Sequence, residues 1–286
     1  MSRVTPARSG IAQVALSGFF FSIMGLCIKQ LRTGLPAMEV VFFRAAVSLA
    51  LTAAVIGRDW RAMLGVRRGL LALRGLTGFA ALVCYVIALG VVPLAEAVAL
   101  LSTGPVFTAV FATAFLGERM PNAGWVALAV CLGGSLLILQ PPFLFAGTEF
   151  AWAGGAAALA AGVFSGMAYT TVRACSRSDR NVTIVFWYAL VATLGSVGLM
   201  LDAFRWPTAP EWAWIVATGV CAQLGQVYLT RGLRAQQAGT AMTGAFTIIV
   251  LAALWGWLLF DEQPTAPALA GGALVIAAIV LLSRHR

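Results

Sequence analysis

The chain contains few of the residues on which soluble domains and metal-dependent enzymes depend. Only 10% of its 286 residues are charged, whereas about a quarter are charged in an ordinary soluble domain. Its one histidine, His285, is the next-to-last residue, which excludes a histidine-based catalytic triad or metal cluster inside the apolar part of the chain. The five cysteines have no paired spacing, and no nucleotide-binding motif is present. We therefore expect no cofactor and no bound metal.

Apolar residues make up most of what is there. They account for 61% of the chain, and the mean hydropathy is +0.93. Runs of about 20 apolar residues are long enough for a helix to cross a hydrocarbon core of ~30 Å. The runs are continuous rather than alternating, which favours helices over barrel strands. The sequence predicts an all-α membrane protein with ten transmembrane helices at residues 10–30, 37–57, 70–90, 94–116, 122–140, 151–172, 182–202, 211–230, 235–258 and 265–283.

Arginine predicts the orientation of these spans. If the N-terminus is cytoplasmic, three basic residues lie outside, Lys29, Arg32 and Arg205, and fourteen lie at cytoplasmic ends: Arg3, Arg8, Arg58, Arg61, Arg67, Arg68, Arg119, Arg173, Arg177, Arg180, Arg231, Arg234, Arg284 and Arg286. Because positive residues stay on the cytoplasmic side, we expect both termini there, in a bacterial inner membrane. The net charge of +9 then reflects topology and contact with lipid headgroups, and no nucleic acid is expected as a partner.

The two halves of the chain repeat each other. The stretch "FLGERMP" ends at Pro121 and "LLFDEQP" ends at Pro264, 143 positions later. At the same offset Tyr85 falls on Tyr228, and "FSIM" falls on "FSGM". Each half holds five spans, an odd number, so the second half must enter the membrane from the opposite side. We predict two inverted five-helix repeats, residues 1–143 and 144–286.

Inverted repeats are a recurring device of secondary transporters, because two similar halves can open alternately to either side of a shared midplane site. Two alternatives remain open from the residues alone. One is a polytopic membrane enzyme acting on lipid, although the missing histidine and the scarce acids disfavour it. The other is a pore or a structural membrane protein.

Three stretches carry a resemblance to a known family. They are "FFRAAVSLALTAAVIG", "GVVPLAEAVALLSTGPVFTAVFATAFLGERMP" and "GLRAQQAGTAMTGAFTIIVLAALWGWLLFDEQP". The chain resembles the drug/metabolite transporter superfamily in its ten-helix EamA-type branch, nearest to the S-adenosylmethionine-uptake and organic-solute types. The resemblance implies a central cavity surrounded by spans one, three, four, six, eight and nine, with spans five and ten behind them. It also implies alternating-access transport of amino acids or related metabolites such as S-adenosylmethionine.

Charged residues inside the spans are the first candidates for a solute site, since each costs about 2.5 to 3.5 kcal/mol at a helix centre on insertion scales. Arg44 lies about 9 Å into the second span, near the external third of the membrane, and Glu96 lies at the start of the fourth span on the same side. They could pair as a gate or anchor, form a purely structural pair, or face water separately. Arg74 and Arg231 lie near cytoplasmic ends, where we expect them to snorkel. For Trp187 we expect core packing.

Breaks in the apolar spans are the second group of candidates. "LLSTGP" in the fourth span contains Ser102, Thr103 and Pro105, and "MTGAFT" in the ninth contains Thr243 and Thr247. Proline removes a helical hydrogen bond, and nearby hydroxyls can donate either to a ligand or to the freed carbonyl. Matching interruptions in two halves point to a midplane site, although a packing kink is an equal alternative.

Polar side chains deep in the spans complete the set. They are Tyr85, Tyr169, Gln223, Gln226 and Tyr228. Buried tyrosine and glutamine need hydrogen-bond partners, which a wet central cavity would supply. As partners of the whole protein we expect a small-molecule substrate, membrane lipid, and a coupling ion or counter-substrate. The protein itself is expected to be a monomer or a weak homo-oligomer.

Overall fold

The computed structural model describes residues 6–31, 34–57, 59, 63–147, 151–201, 204–261 and 263–284, with only the backbone described for residues 6–9. All regular secondary structure in these ranges is helical. Some residues named above lie outside this description or have undescribed side chains: Arg3, Arg8, Arg32, Arg58, Arg61, His285 and Arg286.

Ten helical segments follow one another along the chain. They are α1 (Pro6–Leu31), α2 (Ala37–Ile56), α3 (Arg68–Leu89), α4 (Leu94–Leu101 and Gly104–Leu116), α5 (Asn122–Leu139), α6 (Trp152–Cys175), α7 (Asn181–Met200), α8 (Ala209–Ala235), α9 (Ala238–Met242, Thr243–Phe246 and Thr247–Phe260) and α10 (Ala266–Arg284). A short helix at Pro142–Phe145 joins α5 to α6. Each predicted span coincides with one segment, and the ends differ by a few residues.

The segments are long enough for a multi-pass membrane protein. Within the described ranges, nine of them combine at least 18 residues with a mean hydropathy of at least 1.2 in a window that long. The remaining one, α8, has 27 residues, which suffice to cross a bilayer. It differs because it carries Gln223, Gln226, Arg231 and Arg234. Helix α8 is therefore the most polar helix of the bundle.

Helix packing follows the predicted repeat. Helix α1 packs on α8 while its counterpart α6 packs on α3, and α2 packs on its own counterpart α7. Two glycines show the same relation at atomic detail. A Cβ at Gly75 would meet Val191 and the Trp187 carbonyl, and a Cβ at Gly219 would meet Val47 and the Arg44 carbonyl. The close approach of α3 to α7 thus has its copy where α8 meets α2.

Helices α5 and α10 form a separate pair behind this group. They meet where Gly134 and Gly271 each approach the other's carbonyl oxygen. An apolar cluster that includes Leu128, Cys131 and Val275 fills the contact. Small residues allow this close backbone approach, which drives helix association in lipid. The position of the pair agrees with the expectation that spans five and ten lie behind the cavity.

The repeated "FLGERMP" and "LLFDEQP" stretches are helix stops. Helix α4 ends before Gly117, which has a φ of 65°, and α9 ends before Asp261, which has a φ of 54°. Both residues adopt the left-handed conformation that closes a helix, which glycine allows freely and aspartate tolerates. A single type of termination therefore occurs at both faces of the inverted fold.

Loop contacts separate into two faces. On one face Asp179 accepts hydrogen bonds from the backbone of Val66, at 2.5 Å, and of Arg67. On the other face Glu39 accepts from the Arg205 backbone at 2.5 Å, and Gln140 donates to Thr265. Each contact joins loops that the predicted topology places on the same side of the membrane.

Candidate functional site

A small cavity lies where α2, α7 and α8 meet. Its lining residues are Arg44, Ala45, Ser48, Tyr188, Ala189, Ala222 and Gln226. Residue 188 is the repeat counterpart of residue 45, so the cavity lies where a helix packs on its own counterpart. In an inverted repeat that location is the pseudo-twofold axis, at the middle of the membrane. The family resemblance put spans two and seven outside the cavity, but here both line it.

Arg44 enters this cavity from α2. Its side chain is 8% exposed, with Nη2 at 3.5 Å from the Tyr188 hydroxyl oxygen and Nη1 at 3.7 Å from the Met24 sulfur. Both partners are weak acceptors compared with a carboxylate. The guanidinium therefore keeps most of its hydrogen-bonding capacity.

Arg74 approaches the same tyrosine from α3. Its guanidinium carbon lies 4.4 Å from the centre of the Tyr188 ring, and Nη2 donates to the Gln226 Oε1 at 3.1 Å. Only 2% of the residue is exposed, and Nε has no hydrogen-bond partner. Our expectation that Arg74 snorkels to the surface is wrong, because the side chain turns into the bundle. Gly78, one turn along α3, makes room for it, since a Cβ there would collide with Nη1.

Two glutamines of α8 bond to residues at the cavity. The Ser48 hydroxyl donates to the Gln223 Oε1 at 2.5 Å, and the Gln226 Oε1 accepts from Arg74. Each amide oxygen is therefore occupied by a donor from the first half of the chain. Neither amide NH₂ group makes a hydrogen bond among the described residues. Gln226 lines the cavity and Gln223 lies beside it through Ser48, and a role of either in solute binding stays a prediction.

No acidic side chain in the described ranges pairs with either arginine. The ion pairs found there join Glu118 to Arg173 and Arg177, Asp59 to Arg180, and Glu211 to Arg205. Two positive charges at the bundle centre thus lack a counter-ion from these residues. Desolvated, uncompensated charges of this kind mark functional sites in membrane proteins.

Glu96 does not pair with Arg44. It is 3% exposed, and its Oε1 accepts a hydrogen bond at 3.2 Å from the backbone N–H of Phe143, in the short helix that follows α5. Glu96 stands at the start of α4, beside the loop that joins the two halves, whereas Arg44 points between α1 and α7. The structure therefore separates the two residues that the sequence placed at a similar depth.

The three sequence-predicted tyrosines have different surroundings. Tyr169 of α6 lies close enough to Arg74 for an electrostatic interaction, so it belongs beside the cluster. Tyr228 stacks on Phe20 at 5.5 Å between ring centres, under the guanidinium of the exposed Arg231. Tyr85 packs in an apolar cluster with Ala88 and its neighbours. Tyr228 and Tyr85 therefore contribute packing between helices.

Three hydroxyls at the breaks in α4 and α9 bond to the backbone of their own helix. Hydroxyls of Ser102, Thr103 and Thr243 donate to carbonyls three or four residues earlier, at 2.6 to 2.8 Å. Pro105 is buried beside Gly104 at the start of the second half of α4. The breaks instead lie against glycines, since a Cβ at Gly162 would meet Thr103, and a Cβ at Gly18 would lie 3.4 Å from the Cβ of Thr247. These contacts match the packing-kink alternative.

Sequence reasoning missed Arg74, Tyr188 and Ser48. Gly78, one turn after Arg74, was the available signal, because the missing Cβ leaves room for an inward-turned arginine. Tyr188 follows Trp187, the formal counterpart of Arg44. The Trp187 indole instead donates to the Met63 carbonyl at 2.9 Å. A one-residue difference along a helix changes the direction of a side chain by about 100°.

The face of the bundle that carries Glu118 is closed by a network of contacts. The Glu118 carboxylate accepts from Arg173 Nε at 2.6 Å and from the Ala238 backbone at 2.7 Å. Arg173 also donates to the carbonyls of Leu233 and Arg234 at 3.0 and 2.9 Å. One carboxylate therefore joins α4 of the first half to α6, α8 and α9 of the second.

Comparisons with known proteins identify the family. The model of the EamA-like transporter family matches twice, over residues 8–140 and 152–284. The chain is 36% identical to the pseudopaline exporter CntI of Pseudomonas aeruginosa over 98% of this chain and 97% of that one. It is 27% identical to a riboflavin transporter of Rhizobium johnstonii, over 99% and 94% of the respective chains. Human solute carrier family 35 member G1 is 25% identical, with 95% of this chain and 78% of that one covered.

A solved crystal structure shares the fold. It superposes with a TM-score of 0.77 at 19% sequence identity, covering 96% of this chain and 98% of that one. Such a likeness shows the arrangement of helices, and the identity of the solute has to be inferred from the residues of the site.

Proposed function

The chain belongs to the EamA-like transporter family, and from this premise we propose that it is a secondary carrier of small polar organic solutes that works by alternating access between residues 1–143 and 144–286. Arg44, Arg74, Tyr188, Gln223 and Gln226 hold the solute at mid-membrane. The driving force is a solute gradient, a coupling ion or a counter-substrate.

The observation that carries this proposal is the pair of buried arginines. Both contact Tyr188 of α7, the helix on which its repeat counterpart α2 packs, and sites at such repeat interfaces can be reached from either side. Both lack an acidic partner among the described residues. A carboxylate on the solute would supply the counter-ion and accept two parallel hydrogen bonds from a guanidinium. Amino acids and related metabolites carry such a group.

The similar proteins support the general class. Relatives named as an exporter of pseudopaline and as a riboflavin transporter are carriers of small organic solutes. With its basic residues gathered on the face that carries Glu118, the chain is proposed to lie in a bacterial inner membrane with both termini in the cytoplasm. That the solute is amino-acid-like is inferred from the two buried arginines of the site.

Counterflow in proteoliposomes tests the proposal. Vesicles loaded with a mixture of amino acids and S-adenosylmethionine are diluted into each radiolabelled compound in turn. We expect saturable, transient accumulation of at least one compound. A membrane enzyme would accumulate none, and a pore would equilibrate the label without overshoot.

Variants then locate the site. Arg44→Ala is expected to lower counterflow by about tenfold or more, because removing a guanidinium that binds a carboxylate in a buried site costs more than about 1.4 kcal/mol of binding free energy. Glu96→Gln keeps the acceptor for Phe143 and is expected to remain within about twofold of wild type. Arg180→Ala, at the exposed pair with Asp59, serves as the matched arginine control. Normal counterflow in Arg44→Ala, or equal losses in all three, would contradict the site.

A further inference from the structure

We infer that the solute is a dicarboxylate, with one carboxylate for Arg44 and a second, separate one for Arg74. This inference rests on the proposed function, because it specifies which solute the same site carries. It goes further in fixing the number of anionic groups and their separation.

The charge balance of the cavity is the first argument. Arg44 and Arg74 contribute two positive charges, and no carboxylate in the described ranges pairs with either. A solute with one carboxylate leaves one desolvated guanidinium unpaired, which is costly in a buried, low-dielectric site. A solute with two compensates both charges at once. Electrostatics therefore favours a dianion over a monoanion of the same shape.

The placement of the two guanidinium groups is the second argument. Arg44 lies at the hydroxyl of Tyr188, at 3.5 Å, whereas Arg74 lies over the ring face, 4.4 Å from its centre. The two guanidinium groups thus contact different parts of the same tyrosine. Two carboxylates joined by a short carbon chain can each meet one guanidinium, whereas a single compact dianion, such as a phosphate monoester, would have to share its oxygens between both.

Unused donors around the two arginines are the third argument. Arg74 Nε is buried without a partner. The amide oxygens of Gln223 and Gln226 are already occupied by donors, so each presents its NH₂ group as a free donor. The Tyr188 oxygen accepts from Arg44, which leaves its own proton available. A lining that offers mainly donors suits a solute that offers mainly acceptors.

The test compares acids with their amides. For the purified full-length protein in nanodiscs, dissociation constants are measured for three pairs that share a carbon skeleton: succinate and succinamate, aspartate and asparagine, glutamate and glutamine. Glycerol 3-phosphate serves as the compact dianion. We expect the best diacid to bind about tenfold or more tightly than its own amide and than the phosphate ester.

Two variants assign the second carboxylate. Arg74→Gln removes the charge but keeps an amide donor, and we expect it to reduce diacid affinity to that of the amide while changing amide affinity by less than about twofold. Arg180→Gln is the surface control and is expected to change neither.

Each other outcome overturns the inference. Equal affinities within all three pairs, tighter binding of glycerol 3-phosphate, or an Arg74→Gln loss that is the same for acid and amide would each do so. If neutral or monocarboxylate solutes show counterflow while no diacid binds, the inference fails and the proposed function stands. If nothing in either panel shows counterflow or binds, both fail.

Discussion

Arg74 illustrates the difference between a residue kept for stability and one kept for binding. Its guanidinium lies over the Tyr188 ring with one glutamine partner and an unsatisfied Nε. Burial removes its hydration, and these contacts return only part of the loss. We therefore expect the arginine to lower the stability of the empty protein, as an arginine of the proposed anion site would.

The prediction at this scale is a gain or no change in stability when Arg74 is replaced. Arg74→Met keeps much of the volume and removes the charge, so the melting temperature in detergent should stay the same or rise, while counterflow is lost. Arg173→Met is the matched contrast. It breaks a largely buried ion pair with Glu118 and two carbonyl contacts, and should cost about 3 to 5 kcal/mol. Equal destabilisation by both variants would assign Arg74 a structural role.

Depth along a span could be predicted for single residues, but direction could not. The sequence placed Arg44, Gln223 and Gln226 inside the bundle correctly, because each is polar and several turns from a helix end. It assigned Arg74 to the surface because the residue lies near a helix end. Distance from the end, however, does not determine which neighbour the side chain faces. For the same reason the repeat offset, which pairs Arg44 with Trp187, did not identify the neighbouring Tyr188 as the residue that contacts Arg44. Only packing, such as the space left at Gly78, decides direction.

At the scale of elements, the breaks in α4 and α9 are places where a neighbouring helix packs closely through a glycine. Gly162 of α6 lies against the α4 break, where a Cβ would come within 2.5 Å of Thr103 Oγ1 and 3.1 Å of the Leu100 carbonyl. Gly133 of α5 has open space around its Cβ position. The two glycines therefore form a matched pair for substitution.

Gly162→Ala should lower the melting temperature, since the break must move to accept the methyl group. Gly133→Ala should be neutral or stabilising by up to about 1 kcal/mol, because alanine is the better helix former. Thermal unfolding of both variants checks this. If Gly162→Ala melts no lower than Gly133→Ala, close packing of Gly162 against the α4 break is contradicted.

Glu118 determines a second prediction at this scale. Its carboxylate holds both Arg173 and the N-terminus of α9, so removing it should release that helix end. Glu118→Ala should speed hydrogen–deuterium exchange in residues 238–242 and leave α10 unchanged. Glu118→Gln, which retains an acceptor for the Ala238 N–H, should have the smaller effect. Unchanged exchange in Glu118→Ala would show that the contact does not hold this face closed.

Element boundaries were well predicted because continuous apolar runs and proline punctuation fix where helices cross and stop. The role of the breaks in α4 and α9 could not be predicted from the sequence. A hydroxyl beside proline can bond its own backbone or a ligand, and residue type does not distinguish the two. In Ser102, Thr103 and Thr243 the backbone is the partner.

For the whole molecule, the inverted repeat explains both the symmetric packing and the asymmetric chemistry. Gly75 and Gly219 make equivalent contacts in the two halves, which sets up similar helix crossings on both sides of the axis. The polar side chains, by contrast, differ between halves, with arginines from the first and glutamines from the second. In the proposed mechanism, such a symmetric frame rocks in two directions around one asymmetric site.

The proposed orientation rests on the arginine distribution and can be tested on one helix. Ala209 and Ala235 are exposed alanines at opposite ends of α8. In a variant without native cysteines, Ala209→Cys should react with an impermeant thiol reagent on intact cells, and Ala235→Cys only after permeabilisation. The reverse pattern would invert the assigned topology.

The measurement that tests alternating access around a midplane site most directly is the accessibility of Ala45, a cavity-lining residue that is 4% exposed. Ala45→Cys, without native cysteines and reconstituted in one orientation, is treated with an impermeant thiol reagent from one side and then, in a separate sample, from the other. Ala127→Cys, buried in the α5–α10 contact, is the control. We predict that Ala45→Cys is modified from each side, that transported solute slows both reactions, and that Ala127→Cys is modified from neither. Modification of Ala45→Cys from one side only, or equal modification with and without solute, would contradict a midplane site with alternating access.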